Sequence, residues 1–180
     1  TVSIAMDDWE RALERDRKQK DMFFAEHPNS PLTDTEKTEF DGLSYYDPDP
    51  SYRFVLSLDR ADDPEKVRVP TTEGDTQLYE RCGTFVFSLD GTERYLWAYR
   101  NDDERLWVPF RDATNSETTY EDGRYINLTA EDRRDGDWIV DFNAAYTPFC
   151  AHTDSYECPI VPETNTLDVA IEAGERYERA

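Results

Sequence analysis

The stretch Phe85-Val86-Phe87-Ser88-Leu89-Asp90-Gly91-Thr92-Glu93-Arg94-Tyr95-Leu96-Trp97-Ala98-Tyr99 decides how this chain folds. Phe85, Phe87 and Leu89 recur at every second position, and so do Tyr95, Trp97 and Tyr99. Side chains of a strand point alternately to its two faces, so this period reads as two half-buried strands. Asp90-Gly91 between them has the composition of a tight hairpin turn, whose backbone needs positive φ.

The same period continues on both sides. Upstream, Tyr52, Phe54, Leu56 and Leu58 alternate with polar residues and read as one strand, and Val67 and Val69 as a short one. Downstream come Leu106, Val108 and Phe110, then Tyr125 to Leu128, then Trp138 to Phe142. Asp122-Gly123 and Asp135-Gly136 carry the same turn chemistry, and Asn101-Asp102-Asp103-Glu104 reads as a polar turn. Strands with short connections predict an antiparallel meander.

The two ends differ from this body. Met6 to Ala25 reads as a weakly amphipathic helix, with Trp9 and Leu13 four apart, stopped by His27-Pro28-Asn29-Ser30-Pro31. After Asn143 the period is lost through Ala144 to Asn165, a proline-bearing stretch of a length that often serves function. Leu167, Val169 and Ile171 then predict a last strand. The expected fold is a single mainly β domain over residues 1–180. A helix at 6–25 precedes a β body at 40–143, barrel-like or a sandwich, and residues 144–180 form an irregular closing segment with the last strand.

Charge sets the solvent. Of 180 residues 41 are acidic and 20 basic, giving a formal net charge of -21. That imbalance, with a low aliphatic content, belongs to disordered chains, but 4 Trp, 11 Tyr and 9 Phe in alternating patterns oppose that reading. Crowded carboxylates repel one another at low ionic strength. At molar salt the screening length falls to about 3 Å, and the repulsion with it. The expectation is a halophile's protein, with an acidic mesophilic protein as the plainer account. A nucleic-acid-binding face needs clustered Lys and Arg. The one dense basic run, Arg11 to Lys20, is interleaved with acids. No apolar run is long enough to span a bilayer. The cytoplasm is the default location, and three cysteines are too few for a disulfide scaffold.

Several segments together resemble a known family. Asp141-Phe142-Asn143, Tyr146-Thr147-Pro148-Phe149-Cys150-Ala151 and Cys158-Pro159 are similar to the signature of the domain-of-unknown-function family numbered 1684, in a haloarchaeal-type form. Thr119-Tyr120 with Gly123-Arg124-Tyr125 resembles its second motif, and Asn165, Leu167 and Ala173-Gly174-Glu175 its ending. The family commonly carries Asn-Pro-Pro-Cys where Thr147-Pro148-Phe149-Cys150 stands here, and an aromatic at the position of His152. The resemblance implies a shared fold and a shared site. The family carries no established activity, and no cofactor is indicated.

Two groups of residues offer chemistry. Arg124 presents a planar fork suited to carboxylate or phosphate, and with Tyr120, Asp141, Asn143 and Tyr146 it forms the expected ligand-binding set. The plainer account is an Asp141–Arg124 ion pair that fixes the closing segment. Cys150, His152 and Cys158 are weak metal candidates, at a spacing unlike common zinc knuckles, and Cys150 with His152 or His27 as base, oriented by Asp141, would make a nucleophile arrangement. Two cysteines pinning a loop, free or as a disulfide, explain them more simply. The expected function is binding of a small polar or anionic molecule in a cup near Arg124, Asp141 and Asn143. The alternatives are a hydrolase-type or metal-dependent enzyme using the Cys/His group, or a structural or interaction domain.

Overall fold

The computed structural model describes residues 2–101 and 105–177, with side chains from Asp8 onward. Helix α1 (Val2–Glu26) is followed by a short helix α2 (Asp34–Glu39) and eight strands. Strands β2 (Leu58–Pro70), β3 (Thr76–Leu89), β4 (Thr92–Arg100), β5 (Leu106–Phe110) and β6 (Arg124–Leu128) form a five-stranded antiparallel sheet in chain order. Strands β1 (Arg53–Leu56), β7 (Arg133–Arg134) and β8 (Asp137–Asp141) form a three-stranded antiparallel sheet in the order β1-β8-β7. The meander is therefore real, but it is split between two sheets, and among the described residues no barrel is closed.

Two of the three Asp-Gly turns close hairpins, while Asp122-Gly123 instead ends the 111–123 connection between β5 and β6. Asp90 and Gly91 have φ of 54° and 75° between β3 and β4, and Asp135 and Gly136 have 51° and 90° between β7 and β8. Part of the expected Asn101–Glu104 turn, Asp102 to Glu104, lies outside the described residues. Helix α2 was not foreseen, although Thr33 and Glu36 close a capping box at its start.

The Tyr52–Leu58 segment is not one strand. It changes sheets at Ser57: Phe54 pairs opposite Val140 of β8, and Leu58 opposite Phe85 of β3. The Ser57 hydroxyl donates to Asp137 at the corner. The short Val67–Val69 strand is the far end of a 13-residue β2.

One core lies between the sheets. Phe85, Phe87, Leu96, Val108, Phe110, Ile126 and Leu128 from the larger sheet meet Trp138 and Val140 of β8. The other face of the larger sheet carries a second cluster built on Tyr79, Tyr99, Trp107, Tyr125 and Val161. Tyr79 and Phe85 are six apart and would share a face in a regular strand. The ladder slips between Arg81 and Gly83, and that bulge moves them to opposite faces.

The expected last strand does not form a ladder. Leu167, Ile171 and Ala173 are buried, but the segment makes only isolated bridges, Arg111 to Thr166 and Tyr45 to Glu175, among the described residues. Its other polar groups pair with loop backbone or with side chains: the Val169 and Gly174 carbonyls accept from the Ala113 and Tyr46 N–H groups, the Ile171 N–H donates to Asp112 at 2.7 Å, and the carbonyls of Ile171, Ala173 and Glu175 accept from Arg124.

Candidate functional site

Arg124 opens β6 and is completely enclosed. One of its terminal nitrogens donates to the Ala173 and Glu175 carbonyls, and the other donates to the Ile171 carbonyl at 2.9 Å. Its ionic partner is Asp112, at 3.5 Å, not Asp141. The fork expected to face a ligand instead clamps the tail of the closing segment. Gly174 makes this possible, because at φ 82° a Cβ there would lie 2.7 Å from the Phe142 carbonyl oxygen.

Asp141 and Asn143 form a second knot. One Asp141 oxygen accepts from the Asn143 main-chain and side-chain N–H groups, and the other accepts from the Trp9 indole N–H at 2.8 Å. The Asn143 amide also exchanges hydrogen bonds with the Asp49 backbone. Arg17 donates to the Tyr46 and Asn143 carbonyls, and Lys20 pairs with Glu175. The Asp141–Asn143 motif thus ties α1 and the loop before β1 to the end of β8. Tyr120 stands apart, donating to Asp122 and packing edge-on against Tyr177.

Cys150 and Cys158 are free thiols that lie close enough to influence each other. Their interaction raises the Cys150 thiol and lowers that of Cys158 to about 7 against the opposing effect of burial. The His152 ring lies edge-on to Phe24 and Tyr177 instead of toward a thiol. Burial, helped by the nearby Lys20, depresses its pKa to about 4. A neutral imidazole that weak is a poor base for a thiol whose own pKa is raised. Among the described residues no group of three His, Cys, Asp or Glu is placed to hold a metal ion.

The remaining member of the expected set, Tyr146, has a different setting. It forms one wall of a cleft of about 280 Å³ over the outer face of the five-stranded sheet. The floor is aromatic: Tyr79 stacks on Trp107 with centroids 4.7 Å apart, Trp107 meets Tyr125 edge-on, and Tyr125 meets Tyr146 edge-on. Polar groups stand at its rim. Asn127 donates to the Tyr146 hydroxyl at 2.6 Å, and Asn101 and Arg105 complete the lining. Burial raises the Tyr146 hydroxyl to about 12 and that of Tyr125 further, so both stay protonated donors. Tyr79, Trp107 and Asn127 escaped the sequence reading. The signal was present as the second parity of β5 and β6, where Trp107 sits between Leu106 and Val108.

The model of a family described as "Protein of unknown function (DUF1684)" matches residues 38–176. The chain belongs to this family. A solution NMR structure of an uncharacterized protein of Haloarcula marismortui is 44% identical, covers 96% of both chains and superposes with a TM-score of 0.73. No curated protein matches the chain.

The DUF1684 match takes in both sheets, the thiol pair, the Arg124 clamp and the aromatic cleft, and begins after α1 and most of α2. Trp9, Arg17 and Lys20 therefore lie outside the matched span, although they bond to Asp141, Asn143 and Glu175 within it. The Haloarcula likeness leaves too little of the chain uncovered to omit a 25-residue helix. Among the described residues no helix is long and apolar enough to cross a membrane.

Proposed function

We propose that this DUF1684 domain is a binding module for a small, polar, ring-bearing molecule, held in the cleft beside Tyr146. The observation that carries the reading is the stacked Tyr79–Trp107 pair, bordered by the Asn127 and Tyr146 polar tips. Aromatic faces with a few convergent polar groups are the usual lining of small-molecule pockets, and tyrosine and tryptophan suit a surface apolar on one side and wet on the other. Arg124, Asp141 and Asn143 serve this site from behind, by fixing the segment that carries Tyr146. The domain works in the cytoplasm of a salt-loving cell, a reading supported by the net charge of -21 and the Haloarcula relative.

Saturation-transfer NMR in 2 M KCl with adenosine and with methyl glucoside tests this. The expected result is transfer to at least one probe that is lost in Asn127→Ala and weakened in Tyr146→Phe. Absence of transfer to both probes, or transfer unaffected by either substitution, overturns it.

A further inference from the structure

A second cleft, of about 350 Å³, opens at the end of the core between the two sheets. Its position follows from an irregularity in β2. Arg60 pairs opposite Gly83 and Glu65 opposite Arg81, so Ala61 to Asp63 and Pro64 have only Cys82 to face. Just before this bulge the two backbones lie so close that a Cβ on Gly83 would sit 2.3 Å from the Asp59 carbonyl oxygen. Ala61 and Pro64 become one wall of the cleft, and Leu58, Leu106 and Trp138 form its apolar floor.

The rim is cationic in a chain with twice as many acids as bases. Arg60, Arg100 and Arg133 line the cleft against one carboxylate, Glu80. Glu80 occupies only Arg100, at 2.8 Å. Arg133 lies over the Trp138 ring, 4.6 Å from its centroid, and its polar contact is a long one to the Gly136 carbonyl. The Arg60 side chain makes no hydrogen bond or ion pair among the described residues. Arg60 and Arg133 are exposed and the Arg100 side chain is 43% exposed, so the excess positive charge stands at the mouth of the cleft, in reach of salt, beside an apolar floor.

The geometry points to this cleft as a binding site for an amphipathic organic anion, with a ring or short chain on the Leu58/Leu106/Trp138 floor and a phosphate or carboxylate head held by Arg60, Arg100 and Arg133. Guanidinium forks suit such heads. The floor supplies what salt cannot screen. This site shares only Leu106 with the Tyr146 cleft and does not depend on that reading.

The test is calorimetric titration of the intact chain in 1 M KCl with phenyl phosphate, and separately with its parts, inorganic phosphate and phenol. Phenyl phosphate should bind saturably and at least tenfold more tightly than either part. Arg60→Ala, Arg100→Ala and Arg133→Ala should each weaken it fivefold or more, while Arg68→Ala, an exposed β2 arginine outside the cleft, stays within twofold. Because Arg133 covers Trp138, binding should also shift tryptophan emission, and Trp138→Phe should abolish that shift. Three results overturn the proposal: no saturable binding, inorganic phosphate binding as tightly as phenyl phosphate, or an equal loss in Arg68→Ala. Near-UV circular dichroism confirms that each variant keeps its fold.

Discussion

The Arg124 guanidinium lies 3.5 Å from the Asp112 carboxylate, and neither side chain touches solvent. Removing one member of an enclosed ion pair leaves an uncompensated charge, which typically costs about 3–5 kcal/mol. Arg124→Ala should lose about that much in urea unfolding at fixed salt. Arg124→Lys should recover only a small part, because a single ammonium cannot reach the Ile171, Ala173 and Glu175 carbonyls together with Asp112. Full stability in the lysine variant would show that charge alone holds the tail.

The thiol pair makes a spectroscopic prediction. The interaction with Cys150 is the main reason the Cys158 thiol falls to about 7. Thiolate absorbance near 240 nm should therefore rise first around that pH. In Cys150→Ala that interaction is gone while burial remains, so the first step should move up to or above the ordinary value near 8.5. An unchanged first step would assign it to another cysteine.

His152 predicts acid sensitivity of a defined sign. Its folded pKa, about 4, is below the unfolded value of 6.5, chiefly through burial. The unfolded chain therefore binds more protons between those values. The histidine's contribution is whole above pH 6.5 and is lost as pH falls toward 4, by at most about 3 kcal/mol. His152→Phe should remove that loss, so the pH 7 to pH 4 difference in unfolding free energy should be smaller in the variant than in the parent. Identical pH profiles would dismiss the effect.

Salt should matter more than any single residue. With a net charge of -21, dialysis from 2 M to 0.05 M KCl should lower Tm by on the order of 10 °C, or ~3 kcal/mol for a chain of this size. The same melting point at both salt levels would return the protein to the merely acidic class.

Local signals in the sequence led to the right elements where local chemistry decides. The Asp90-Gly91 turn and its alternating flanks predict β3 and β4, because twist and positive φ act within a few residues. The segments that failed are those whose fate is set at long range. Leu56 and Leu58 share a parity, and only their partners Trp138 and Phe85 show that they belong to different sheets. Arg124 carried the appearance of a ligand fork because its carbonyl partners lie 47 to 51 residues away. Trp107 and Tyr79 were overlooked because an outward parity reads as solvent-facing, and here it is roofed by a segment without a period of its own.

The Arg124 clamp also has a bearing on synthesis. Chains emerge from the ribosome N-terminal end first. Strand β6 and its cation are therefore made well before residues 171–175, the carbonyls that will receive it. Until they arrive, the two sheets can pair and bury hydrocarbon, but the nascent domain must keep one edge open to water or hold the guanidinium in its interior with Asp112 as its ionic partner and without the three carbonyls. Completion of the fold is thus timed by the tail, and a ribosome stalled between those points would present a β sandwich that is assembled but unlatched.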